Sequence, residues 1–239
     1  MMSCILVFYL AIFGILPQAP DADALYARRD QIASARQATA IWSQRLQTNP
    51  RDFEAAWKLA RAQYWLGGHA PEAERKALLE AGVESGRSAA IIEPSKPEGH
   101  FWMAANMGAL AESFGLRQGL KYRGAIRDAL LNVLTLDPAF QQGSADRALG
   151  RWYFKVPALF GGSKKKSEEH LRKSLTYNVN SISSRFFLAE TLLDMDRKAE
   201  AIAQLERVIE TAPDAAWIPE DREFKQHAER LLATLKQKR

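Results

Sequence analysis

Residues 182–213, ISSRFFLAETLLDMDRKAEAIAQLERVIETAP, decide the fold. Two apolar runs at helical spacing are split by Asp194-Met195-Asp196, and each is too short to bury its apolar face alone. The two predicted helices must therefore pack back to back. Ala189 and Ala201 are small enough to let them approach, while Leu188, Leu192, Leu205 and Val208 fill the space between this pair and its neighbours. Pro213 ends the second helix, because a proline drives the residue before it out of helical geometry.

These offsets resemble those of a tetratricopeptide repeat, with Leu188-Ala189-x2-Leu192 at its first signature, Ala201-x3-Leu205 at its second and Pro213 closing the unit. Upstream, Ala38, Trp42 and Pro50 repeat the second half of that pattern, as a degenerate first unit. The closing positions then run Pro50, Pro94, Pro138, Val179 and Pro213, in steps of 44, 44, 41 and 34 residues. Only the last step has the standard length of about 34 residues. The surplus must lengthen the second helices or the turns of the early units, which Gly67-Gly68, Gly115, and Pro157 with Gly161-Gly162 mark. From Pro219 a final helix carries Glu220 and Asp221 at its positive end and Lys236, Lys238 and Arg239 at its negative end. Its single apolar stripe, Phe224, Ala228, Leu231 and Leu235, is what a terminal cap needs. The expected fold is all-α: a tetratricopeptide-like array of helical hairpins, an α-α superhelix with oversized early repeats and a C-terminal capping helix, in one domain over 25–239.

Ahead of that domain, residues 4–16, CILVFYLAIFGIL, are unbroken apolar, too short to span a bilayer comfortably but suited to the core of a secretory signal. Ala22-Asp23-Ala24 offers a small-x-small cleavage pattern, so residues 1–24 read as a signal peptide with the mature start at Leu25, and export to the periplasm follows. Only Met-Met-Ser precedes the apolar run, without Lys or Arg, which leaves an uncleaved membrane tether facing the periplasm as the other reading. The single cysteine, Cys4, opens that run rather than following it, so the mature chain has no disulfide and no thiol nucleophile. The net charge of +5 comes from 33 bases interleaved with 28 acids along nearly every helix. That is the pattern of a solvated surface rather than of a nucleic-acid-binding stripe.

The four histidines, at 69, 100, 170 and 227, fall in different units with no i, i+4 partner, so no metal site is expected. There is no G-x-S-x-G motif, no dinucleotide glycine fingerprint and no cysteine pair; no enzyme activity and no cofactor are predicted. Gly161-Gly162-Ser163 before Lys164-Lys165-Lys166 has glycines leading into a helix start, as an anion-binding loop does, but without Walker spacing. It also reads as a Gly-Gly turn with Ser163 as the N-cap of a solvated helix.

The first helices of the units carry a second stripe rotated from the one packed inside each repeat. Lys58 and Trp65, then His100, Met103 and Met107, then Arg147, Arg151 and Phe154 are expected to line one concave cavity, apolar and aromatic with a few cations. Such a wall suits an amphipathic anion, a hydrophobic ligand or a peptide carboxylate; the same Met and aromatic residues would equally serve as core between large helices. Arg147 and Arg151, one turn apart, repel by about a few tenths of a kcal/mol. Either Glu190 on the next first helix or an anionic ligand should offset that.

Trp57-Lys58-Leu59-Ala60-Arg61-Ala62, Gly99-His100-Phe101-Trp102 and Pro157-Ala158-Leu159-Phe160-Gly161-Gly162-Ser163, with the apolar leader and the large hairpins, resemble the T-component family of tripartite ATP-independent periplasmic (TRAP) transporters. The W-x-x-A-R and H-x-W pieces are also similar to the regulators of microtubule dynamics. The resemblance implies a periplasmic, all-helical, non-catalytic protein associated with a solute-binding protein, trimeric, with a cleft for small ligands. A general adaptor that takes peptides in its groove is the alternative.

Overall fold

The computed structural model describes residues 21–237; the apolar run at 4–16 lies outside them. The chain forms α1 (Ala22–Ala27), α2 (Ile32–Thr48), α3 (Phe53–His69), α4 (Glu72–Ile92), α5 (Pro97–Ser113), α6 (Leu116–Leu136), α7 (Phe140–Lys155), α8 (Lys164–Tyr177), α9 (Ile182–Leu193), α10 (Lys198–Glu210) and α11 (Ile218–Gln237), with a short 3-10 turn at Ala158–Phe160. No strand occurs among the described residues. Consecutive helices pack as antiparallel neighbours, and α3, α5, α7 and α9 also touch one another in succession. They form the inner wall of a superhelix, with the even-numbered helices outside.

Local chemistry sets the boundaries. Asp52 caps α3 by accepting from the Ala55 amide at 3.0 Å, Ser163 caps α8 by accepting from Lys166, Ser181 caps α9, and Pro97 occupies the first turn of α5. The oversized repeats are seen as long second helices: α4 and α6 each have 21 residues, against 14 in α8 and 13 in α10. The excess over α10 is about two turns at ~3.6 residues per turn. One expected turn is displaced. Gly67 and Gly68 lie inside α3, which turns at Ala70-Pro71 instead, and Gly67 serves close packing, since a Cβ there would sit 2.4 Å from the Leu79 side chain.

Three apolar clusters run end to end along the array. The first joins α1, α2 and α3 around Trp42, Leu59 and Trp65. The second spans α3 to α7 around Trp102, Leu110, Leu130 and Leu149, and the third joins α8 to α11 around Leu171, Leu188, Leu192 and Leu205. In the last, Ala228 and Leu232 are the buried residues of the capping helix; Phe224, Leu231 and Leu235 flank them half-buried, so its apolar face centres one residue beyond Leu231. The cleavage pattern expected at Ala22-Asp23-Ala24 lies within α1, where Ala22, Leu25 and Tyr26 are buried and Asp21 caps the helix. No helix of the described residues is long and apolar enough to cross a membrane.

Candidate functional site

The concave face encloses a cavity of about 240 Å³ between α5, α7 and the start of α11. From α5 come Phe101, Trp102, Ala105 and Gly108; from α7 come Ser144, Arg147, Ala148 and Arg151. Tyr26 and Tyr64 close one end, and Trp217, Asp221 and Phe224 close another. The α8–α9 turn contributes Asn178, Asn180 and Ser181.

The two arginines of α7 have different surroundings. The Arg151 guanidinium grips Glu112 through Nε at 3.1 Å and Nη2 at 2.9 Å, reaches Glu190 through Nη1 at 2.6 Å, and lies 4.7 Å from the centre of the Phe187 ring. Burial works against its charge, but the Glu112 hydrogen bonds and the two carboxylate charges outweigh burial and raise its pKa. Glu190 thus meets Arg151 as one of the two sequence readings has it, with Glu112 as a second acid. Arg147 has no hydrogen bond or ion pair among the described residues. Burial pulls its guanidinium below the ordinary arginine value. The charges of Asp221 and Glu220 act against that shift without contacting the guanidinium. Asp221 accepts from the Asp214 amide at 2.9 Å and is pushed up by burial, while Glu220 is engaged by Arg29.

The first turn of α7 is strained beside these residues. Gln141 (φ 44°, ψ 50°), Gln142 (φ 59°, ψ 42°) and Gly143 (φ 79°, ψ 30°) make a left-handed turn before regular helix begins. Only glycine serves at 143, where a Cβ would lie 2.6 Å from the Tyr177 ring. Asn178 Nδ2 donates to Gln142 Oε1, holding the turn against the α8–α9 junction, and Gln141 Oε1 is buried without a donor.

The ends of the array meet across the cavity. Arg29, in the α1–α2 turn, donates from Nε to Glu220 at 2.9 Å and from Nη2 to the Ala216 carbonyl at 3.0 Å. At the end of α3, His69 sits 2.7 Å from the Trp65 carbonyl through Nδ1 and 2.7 Å from Glu223 through Nε2. Both partners are acceptors only, so the ring satisfies both as an imidazolium. Burial lowers its pKa, but the Glu223 and Trp65 contacts outweigh burial and raise it above the ordinary value.

Of the eight residues expected to line one cavity, the structure brings Arg147 and Arg151 together there and places the other six elsewhere. Lys58 is buried between Asp23 at 2.6 Å and Glu54 at 2.7 Å, and with Arg45 it holds the Glu54 carboxyl down to about 2. Trp65 donates to the Arg29 carbonyl at 2.8 Å. Both face α1 and the turn after it, which cover that side of α3. On α5, Met107 is in the core, Met103 packs against Gly86, and His100 contacts the Pro94 carbonyl at 3.0 Å. Phe154 lies under Lys164, whose Nζ is 4.0 Å from the ring centre.

The α5 error is one of register. The cavity stripe is 101, 105, 108 and 112, and a shift of two residues turns a helix by about 200°. Small residues at 105 and 108 were the available signal, since they leave room where Met would fill it. Trp217 and Asp221 gave no signal, and Gln141 and Gln142 gave none beyond the Gly143 that follows them. The cavity offers a half-buried cation, side-chain amides and aromatic faces, which is binding chemistry. No group of residues suited to a metal ion occurs among the described residues.

The profile of regulator of microtubule dynamics protein 1-3 matches residues 19–166, and that of the TRAP transporter T-component matches 97–238. No curated protein matches the chain. Among solved structures, TTC0263, a thermophilic TPR protein of Thermus thermophilus, is similar at 24% identity and a TM-score of 0.67, covering 89% of this chain and 95% of its own. Two structures of MamA are similar at 16% identity, with TM-scores of 0.53 and 0.51; they cover 91% and 86% of this chain, and 99% and 92% of their own. These likenesses concern the fold. Each profile covers more than half of the chain, and the two overlap on α5 to α7, so the protein belongs to the TRAP transporter T-component family and matches that of regulator of microtubule dynamics protein 1-3 as well.

Proposed function

We propose that the protein is an accessory, non-catalytic binding component of a TRAP-type solute-uptake system. In this reading it is exported, faces the periplasm, contacts a solute-binding protein, and holds a small amphipathic anion in its concave cavity with the carboxylate on Arg147. The observation that carries the ligand part is Arg147 itself. Arg147 is half-buried in the cavity wall; a guanidinium partly withdrawn from water without an anionic partner is unfavourable, and a carboxylate offers it two parallel hydrogen bonds. Around it, Phe101, Trp102, Phe187 and Trp217 supply faces for an apolar body. The cavity volume is below the ~300–1,000 Å³ of most ligand sites. With both ends of the array joined by Arg29 and Glu220, that volume favours a compact monocarboxylate over the extended peptide of a general adaptor.

Thermal-shift screening of aliphatic and aromatic monocarboxylates tests this against Arg147→Met. A true ligand at a hundredfold excess over its Kd stabilises the wild type by about 2.7 kcal/mol and leaves the variant unmoved. Equal shifts in both proteins remove Arg147 from the site. Pull-down from an envelope extract tests the partner separately: recovery of a solute-binding protein supports the transport role, and recovery of unrelated assembly factors supports the adaptor.

A further inference from the structure

The segment Pro157–Ser163, between α7 and α8, holds Leu159 in water at 87% exposure, with Phe160 beside it at 38%. The loop is pinned. Phe160 and Gly162 donate their amides to the Pro157 carbonyl at 2.9 and 3.2 Å, Gly161 donates to Ala158 at 3.0 Å, and Ser163 donates to Tyr153 at 2.9 Å. At Gly162 a Cβ would fall 1.6 Å from the Val156 carbonyl oxygen, so the chain path there admits no other residue. Arg123, reaching over from α6, stands 5.4 Å from the centre of the Phe160 ring. A leucine that merely lacked a partner would sit on a slack loop; this one is displayed by a fixed one.

Cations follow the loop directly in the chain. Lys164, Lys165 and Lys166 fill the first turn of α8, where the helix's own positive end disfavours them. Asp194 neutralises Lys164 at 2.8 Å, whereas Arg123, Lys165 and Lys166 have no carboxylate partner among the described residues; Glu169 stands a turn further along the helix, away from the loop. An apolar tip flanked by Arg123 on one side and by Lys165 and Lys166 in the helix turn that follows it fits an anionic surface. A second copy of the chain would bring like charges together, and lysine is depleted in protein–protein interfaces but is the usual partner of anionic lipid headgroups.

We propose that this corner docks on an anionic lipid bilayer. Leu159 enters the boundary between headgroups and acyl chains, and Arg123, Lys165 and Lys166 meet the lipid phosphates. The docked protein would present its cavity at a fixed height above the membrane.

The test is amine acetylation of the full chain, read by peptide mass spectrometry, with vesicles of phosphatidylglycerol and phosphatidylcholine or of phosphatidylcholine alone. Labelling at Lys165 and Lys166 should fall with the anionic vesicles only, while Lys76 on α4 is unchanged. Leu159→Asp, at an exposed position that leaves the fold intact, should abolish the protection. Lys165→Gln/Lys166→Gln should lower the excess affinity for anionic over neutral vesicles about thirtyfold, the value of two charges near the surface; taking the ratio cancels insertion of the apolar N-terminal run. Equal labelling with and without anionic vesicles overturns the proposal, as does protection that survives Leu159→Asp. Protection by an acidic peptide but not by vesicles overturns it in favour of a protein partner.

Discussion

Arg147 and Arg151 are one turn apart on the same face of α7, yet they should respond to mutation in opposite ways. Arg151 is held by two carboxylates, Glu112 and Glu190, whose side chains are 38% and 26% exposed. Arg151→Ala leaves both acids unpaired beside the cavity. At that exposure the loss should be about 1–2 kcal/mol, read as a lower urea midpoint with an unchanged m-value. Arg147 has no such partner, and Arg147→Met replaces a poorly solvated cation with an apolar chain of similar length. Its stability should stay level or rise by about 1 kcal/mol while carboxylate binding disappears. A large stability loss in Arg147→Met would show that the guanidinium is a structural group and end its assignment to a ligand. The sequence showed that the pair needed an offset; it could not show that the acids serve one arginine and leave the other, because that depends on Glu112 reaching Arg151 from α5.

At the scale of the helices, the strained entry to α7 and the latch on α11 set the local stability around the cavity. Gln141 holds a left-handed conformation with its side-chain oxygen unsatisfied, so Gln141→Gly should stabilise the protein by about 1 kcal/mol. Gly143→Ala adds a Cβ against Tyr177 and Ser174 at φ 79° and should cost more than about 2 kcal/mol, both read from chemical unfolding. A neutral Gly143→Ala would mean that the turn relaxes freely and is no fixed part of the cavity. The latch is pH-dependent. The folded-state pKa of His69 lies above its ordinary 6.5, so its bridge to Glu223 stabilises fully below about 6.5 and fades as pH rises through the raised value. Hydrogen exchange at the start of α11 should therefore quicken with rising pH, beyond the intrinsic rate, in the wild type and not in His69→Gln. Helix lengths were legible in the spacing of the closing prolines, since 44-residue steps leave surplus that only longer helices absorb. The left-handed turn was not, because Phe140-Gln141-Gln142-Gly143 has the composition of an ordinary helix start and tertiary contacts, from Asn178 and Asp214 to Gln142 and from Tyr177 beside Gly143, fix it.

At the scale of the whole molecule, a superhelix is quasi-one-dimensional, each unit touching only its neighbours, unless its ends meet. Here they do, through Arg29 and Glu220, 191 residues apart, and through His69 and Glu223. The repeat pattern made the array legible but not this closure, since where the ends arrive depends on rotation accumulated over units of unequal length. The closure has an energetic consequence that separates it from a surface ion pair. The Arg29 side chain is 4% exposed and that of Glu220 is 22%. Glu220→Ala strands a buried guanidinium with only the Tyr26 and Ala216 carbonyls as acceptors, and removing one partner of a buried pair costs about 3–5 kcal/mol. Opening the contact at α11 lets the array escape most of that cost. Glu220→Ala should therefore enlarge the radius of gyration in solution scattering and weaken carboxylate binding, with only a modest fall in melting temperature. Arg29→Met/Glu220→Met, which removes both charges and keeps apolar bulk, should restore the compact form. If Glu220→Ala keeps the wild-type radius and binds the same ligands, the ring is not held shut by this pair, and α11 is a terminal cap only.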